Sequence, residues 1–202
     1  MTTLLVAEII GIIAFAISGF FVAVRSNLDL LGIFIASFLT ALGGGILRDV
    51  IAGYTPYTFS HNLPIFIVLS VVIFSIIFKL HKITDFEKKS YFLISDTLGL
   101  VSLAISGAFV AIEADFNFAG IILLSITTAI GGGIIRDIML NHVPFVLLSE
   151  FYATVAIIIG LLIYIFNYFD LLSFYTTTVV FIFGFSIRLL AYYKKWQLPK
   201  LR

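Results

Sequence analysis

The chain has 202 residues, 61% of them hydrophobic and 16% aromatic, with a mean hydropathy of +1.18. Only 11% are charged, under half the ~25% of an ordinary soluble domain, which excludes a water-soluble globule and places the chain in a bilayer. The net charge of +1 excludes a global basic field for nucleic acid, and the absence of cysteine excludes disulfides, thiolate metal sites and cysteine nucleophiles.

Runs of about 20 apolar residues cross ~30 Å of hydrocarbon as helices, and seven are expected: 4–24, 30–53, 63–80, 91–112, 116–141, 147–167 and 171–193. The first carries Glu8 and has no preceding Lys or Arg and no small-residue cleavage site, so it does not read as a signal peptide. The second carries Gly43-Gly44-Gly45 and Arg48-Asp49. The longest polar connection, near 81–90, follows the third and leaves no room for a soluble domain. Asp96 lies in the fourth span and Gly131-Gly132-Gly133 with Arg136-Asp137 in the fifth, while Glu150 stands near the start of the sixth. The seventh ends at Tyr192, Tyr193 and Trp196, which suit an aromatic belt. His61, His81 and His142 read as loop or interface residues.

Lys and Arg set the orientation. Arg25, then Lys79, Lys82, Lys88 and Lys89, then Lys194, Lys195, Lys200 and Arg202 share one side of a seven-span chain; the opposite loops hold no Lys or Arg. The expected placement has the N-terminus outside and the C-terminus in the cytoplasm.

Shifting the chain by 88 residues gives an ungapped self-match. Ala16-Ile17-Ser18-Gly19 falls on Ala104-Ile105-Ser106-Gly107, Thr40 on Thr128, Pro56 on Pro144, and Gly43-Gly44-Gly45-Ile46-Leu47-Arg48-Asp49 on Gly131-Gly132-Gly133-Ile134-Ile135-Arg136-Asp137. About 20 of 50 positions from Glu8 onward are identical. Each copy holds three spans, an odd number, so the second enters the membrane from the other side. The fold class expected is all-α and polytopic: one transmembrane domain over 1–202, with inverted repeats at about 4–80 and 91–168 and a seventh helix at about 171–193. That last helix is expected at the periphery or at a subunit contact.

Three successive glycines cost a helix about 1 kcal/mol each relative to alanine. The expectation is a kink or break in spans two and five that frees backbone carbonyls at a site reached by water, with close helix packing as the alternative. Asp49 and Asp137 would then start half-helices, as cation sites or as partners of the helix dipole. Thr40 and Thr128 offer hydroxyls to an ion or bond their own helix carbonyls. Arginine in a membrane span costs ~3 to more than 10 kcal/mol unless paired or hydrated. Arg48 and Arg136 are not expected to pair with their neighbours Asp49 and Asp137, because residues i and i+1 point to different helix faces. At ~1.5 Å per residue, Glu8 and Arg48 lie at about the same depth, and so, from the other side, do Asp96 and Arg136. These are the expected ion pairs.

The doubled motif, with three spans per repeat and a seventh helix, resembles the bacterial branch of the trimeric intracellular cation (TRIC) channels over essentially the whole chain. That resemblance implies a homotrimer with a pore in each protomer, lined by kinked second and fifth helices, and conduction of monovalent cations, chiefly potassium. It carries Gly43–Gly45, Arg48, Asp49, Gly131–Gly133, Arg136 and Asp137 over as motif residues. The Lys-Glu-Val motif through which animal members bind phosphoinositide is missing here.

The expected function is a potassium-permeable channel of a bacterial inner membrane, with membrane lipid around it and potassium near the glycines. A secondary transporter of a small solute such as glycine is the alternative, because inverted repeats also build carriers; a membrane scaffold would need only the packing glycines. No nucleophile elbow, zinc-protease motif or phosphate loop is present, so neither an enzyme nor a cofactor is expected.

Overall fold

The computed structural model describes residues 2–83, 85–148 and 151–196. Glu150, Lys200 and Arg202 lie outside the described residues, as do the side chains of Lys88 and Lys89. The elements are α1 (Thr2–Arg25), α2 (Leu30–Ile51), α3 (Tyr57–Ser60), α4 (Leu63–Ile77), a 3-10 turn (Leu80–Lys82), α5 (Asp85–Glu113), α6 (Phe118–Met139), α7 (Phe145–Leu148), α8 (Tyr152–Tyr168) and α9 (Phe174–Tyr193). There is no strand among the described residues. Five helices (α1, α2, α5, α6 and α9) are long and apolar enough to cross a membrane, whereas α4 and α8 are shorter apolar helices of 15 and 17 residues.

Three boundaries differ from those expected. The third span ends at Ile77. The sixth starts at Tyr152 because 145–148 forms a separate turn of helix, α7, just as 57–60 forms α3 ahead of α4. Most of the polar connection near 81–90 is helix, since α5 begins at Asp85; Glu and Lys are good helix formers.

Local chemistry repeats at the 88-residue offset. The Asp29 carboxylate accepts from the Gly32 amide at 2.7 Å to cap α2, and the Asn117 amide oxygen accepts from Gly120 at 2.9 Å to cap α6. After each helix one residue turns left-handed, Gly53 at φ +79° and Asn141 at φ +55°, two residue types that tolerate this conformation.

At the centre α1 packs on α5, and α2 on α6. Both pairs run antiparallel. On the first, Glu8 meets Ser106 while Ser18 meets Asp96; on the second, Thr40 faces Gly132 while Thr128 faces Gly44. Helix α4 covers α1 and α2, α8 covers α5 and α6, and α9 lies on α8 and α5. Phe15, Phe20, Phe21, Leu100, Ile105 and Leu124 fill the interior. The outside is also apolar, at Leu30, Phe66, Leu123 and Val179 among others, which suits hydrocarbon and not water.

Candidate functional site

Both glycine triplets lie within continuous helix, so of the kink or break expected there, the break is corrected. Contact between helices offsets the propensity cost. A Cβ on Gly44 would collide with the Thr128 carbonyl oxygen, and one on Gly132 with the Thr40 carbonyl oxygen. Only glycine lets the two backbones approach this closely. The third glycine of each triplet differs: a Cβ on Gly45 would meet nothing within 4 Å, and one on Gly133 only Arg136 Nη2 at 3.9 Å. Two glycines of each triplet make the contact, and the third faces open space.

The Thr40 and Thr128 hydroxyls donate to Ala36 O and Leu124 O, each at 2.6 Å, the local bonding that threonine offers inside a helix. Asp49 and Asp137 stand at the C-terminal ends of α2 and α6, not at the start of half-helices. The helix dipole disfavours a carboxylate there, so each needs compensation.

Compensation comes first from the neighbouring arginine. Arg48 Nε and Nη2 donate to Asp49 Oδ1 at 2.8 and 2.7 Å, and Arg136 pairs with Asp137 at the same distances. Adjacent residues were not expected to pair, yet the long guanidinium folds back around the helix to a carboxylate that also turns towards it. The second oxygen of each carboxylate accepts a backbone amide eight residues on: Tyr57 N–H at 2.9 Å and Phe145 N–H at 2.8 Å. Each aspartate therefore ties the end of a glycine helix to the following short helix.

The remaining guanidinium nitrogen differs between copies. Arg48 Nη1 donates to Glu8 Oε1 and Ser106 Oγ, so the expected Glu8–Arg48 pair forms. Arg136 Nη1 instead reaches Thr40 Oγ1 at 3.4 Å. Asp96 and Arg136 share a cavity but make no ion pair among the described residues. Aspartate is one methylene shorter than glutamate, and Asp96 accepts a hydrogen bond from Ser18 at 3.2 Å.

Each copy of the motif lines a cavity. Glu8, Ala41, Gly45, Arg48, Asp49 and Tyr57 line the first, of ≈ 30 Å³, and four of them also line a mouth of ≈ 660 Å³ that includes Tyr54 and His61. Thr40, Asp96, Gly133, Arg136, Asp137 and Tyr152 line the second, of ≈ 10 Å³, about the room one water requires. The first cluster sets two carboxyl groups, Glu8 and Asp49, against the Arg48 guanidinium, whereas in the second Asp96 and Asp137 stand near both Arg136 and Arg188. Among the described residues no group of three or more His, Asp or Glu is placed to hold a metal ion.

Sequence reasoning missed three participants. Ser18 and Ser106 stand out in the sequence only as matched positions of the repeat, yet they bond the carboxyl groups of the opposite repeat; pairing the repeats antiparallel would have found them. Arg188 on α9 is 1% exposed, with its guanidinium carbon 4.9 Å from the centroid of the Tyr152 ring. An arginine inside an apolar span was the available signal, the same one that singled out Arg48 and Arg136. The helix α9 thus sits at the periphery but sends one charge into the core.

Comparison with known proteins places these features in context. Residues 5–82 and 93–168 match a family model described as glycine transporter. The UPF0126 membrane protein YvgT of Bacillus subtilis is 32% identical over 195 residues, covering 95% of this chain and 93% of that protein. The UPF0126 inner membrane protein YadS of Escherichia coli K12 is 30% identical, covering 76% and 74%. A solved structure concerned with conductance through TRIC cation channels is 33% identical with a TM-score of 0.86, covering 98% of this chain and 96% of that one. A prokaryotic TRIC channel crystallised in 0.5 M KCl is 31% identical with a TM-score of 0.88, covering 96% and 98%.

Proposed function

Since the chain belongs to the family of the prokaryotic TRIC channels and UPF0126 membrane proteins, the one whose sequence model is described as glycine transporter, we propose that it is a monovalent cation channel permeable to potassium. One observation carries the reading. Two clusters of buried charge, the first with one more carboxyl group than guanidinium, line cavities flanking the α2–α6 contact. Surplus negative charge at a constriction favours cations over anions. Gly45 and Gly133 leave backbone, not side chain, on the cavity walls.

In this reading the cation path lies within each protomer and passes both cavities. The glycine contact of α2 and α6 is the closed septum between them, and separating the two helices joins the cavities. Arg48 and Arg136 hold Glu8, Asp49 and Asp137 in place while the ion keeps part of its water. Inverted repeats over about 4–80 and 91–168, within one transmembrane domain, are supported by the antiparallel pairing of α1 with α5 and of α2 with α6. The protein is further read as a homotrimer of a bacterial inner membrane, surrounded by lipid, with its N-terminus outside. Seven helices would span the bilayer, α4 and α8 being extended across it by α3 and α7.

The deciding experiment records purified protein in planar bilayers under a KCl gradient. Discrete unitary currents that reverse near the potassium equilibrium potential support the channel. The family description favours a second reading, a carrier for glycine. Saturable glycine uptake into proteoliposomes without unitary currents would replace the channel by that carrier. Native mass measurement tests the trimer, at three times 22.4 kDa, about 67 kDa.

A further inference from the structure

We propose that a groove at the basic end of the first repeat binds an anionic phospholipid, with the headgroup on Lys79 and Lys82 and one acyl chain between α1, α2 and α4. The groove holds ≈ 450 Å³ and is lined by Phe20 and Val24 of α1, Leu30 and Ile33 of α2, Ile76 of α4 and His81 of the 3-10 turn. Its walls are apolar, and the turn that closes it carries charge: Lys79 and Lys82, both exposed, stand on either side of His81 in the chain. Asp29, an acid at the same end, is engaged by the Gly32 amide at 2.7 Å. A basic rim beside an apolar cleft between spanning helices meets both parts of an anionic lipid, its phosphate and its chain.

The second repeat treats the same place differently. At the 88-residue offset Leu30, Ile76 and His81 are matched by Phe118, Tyr164 and Phe169. The Phe118 and Tyr164 rings meet edge to face at 4.9 Å, and Tyr168 and Phe169 continue the row at centroid distances of 6.3 and 5.3 Å. Rings of the chain itself thus occupy the position that aliphatic residues leave open in the first repeat. Helix length changes too: α4 ends at Ile77, whereas α8 runs on to Tyr168, the counterpart of Leu80. Charge reverses along with shape. Arg25, Asn27 and Lys82 are matched by Glu113, Asp115 and Asp170, so a headgroup phosphate is attracted to the first repeat's end and repelled from the second's. The lipid is therefore drawn from the leaflet on the side of Arg25, Lys79 and Lys82. The site does not depend on the cation path and would serve a channel or a carrier alike.

The experiment compares retention of phosphatidylglycerol and phosphatidylcholine by the purified full chain, read by native mass spectrometry from detergent. At equal lipid concentrations the wild type should retain phosphatidylglycerol at least about fivefold over phosphatidylcholine. Lys79→Gln with Lys82→Gln should bring the two lipids level. Lys194→Gln with Lys195→Gln, at the end of α9, which packs on α8 and α5, should leave the preference unchanged. Leu30→Phe with Ile76→Tyr imports the rings of the second repeat while keeping every charge, and should lower phosphatidylglycerol retention severalfold. Thermal unfolding without added lipid shows whether that variant is folded, and Ile76→Tyr alone should act in the same direction. Equal retention of the two lipids by the wild type, or retention that survives both ring variants, would overturn the site. An equal effect of the two lysine pairs would overturn it as well, in favour of diffuse surface attraction. A fall in oligomeric mass in the ring variants, with lipid retention unchanged, would assign the groove to a second copy of the chain instead.

Discussion

The carbonyl oxygen of Thr128 stands where Gly44 would carry a Cβ, and the carbonyl oxygen of Thr40 stands in the same relation to Gly132. The two central helices are therefore joined backbone to backbone. Alanine at Gly44 or Gly132 should lower stability by at least about 1–3 kcal/mol, the usual range for overpacking. Alanine at Gly45 meets no atom and should be neutral or stabilising by up to about 1 kcal/mol through helix propensity. Thermal unfolding in detergent checks both, and equal losses at all three positions would contradict the contact.

The arginine clusters should differ in a double-mutant cycle. Glu8 and Arg48 touch, and Glu8→Gln with Arg48→Gln should show coupling of about 1–3 kcal/mol. Asp96→Asn with Arg136→Gln, which lack a direct pair, should couple by less than about 1 kcal/mol on the same scale. The reverse order would mean that the asymmetry between repeats is wrong.

Asp49 and Asp137 each fasten a backbone amide. Substitution by asparagine keeps the size but weakens a charge-assisted bond, at a cost of about 1–3 kcal/mol. Hydrogen exchange reads this locally: Asp49→Asn should speed exchange at the Tyr57 amide and leave the Phe145 amide unchanged, and Asp137→Asn should do the opposite.

At α9 the Ser173 hydroxyl accepts from the Thr176 amide at 3.2 Å while Thr176 Oγ1 accepts from the Ser173 amide at 2.8 Å. Ser173→Ala should cost about 1 kcal/mol of stability, the usual value of an N-cap. Unitary conductance should not change, since Ser173 lines neither cavity. A large change in conductance would place the start of α9 in the cation path.

Much of this was legible in the residues. The all-helical class follows from apolar runs of span length, and the repeat follows from a motif that recurs at one offset. The Glu8–Arg48 pair came from depth along two helices, a quantity that sequence carries because the helical rise is constant. The same arithmetic failed for Asp96 and Arg136, because equal depth says nothing about which neighbours compete. There Ser18 and Thr40 intervene.

What the sequence by itself determined was periodic or local: the helices, the repeat and the chemistry of its charges. Propensity predicted a kink or break at the glycines, and the packed fold keeps both triplets helical. A backbone contact between α2 and α6 rewards the missing side chains more than the helix loses by them. Only the packed fold decided that Arg48 folds back on Asp49, that two glycines of each triplet pack while the third opens a cavity, and that Arg188 reaches Tyr152. Those outcomes depend on which surfaces meet, and residues nearly a hundred positions apart meet only when the chain has closed on itself.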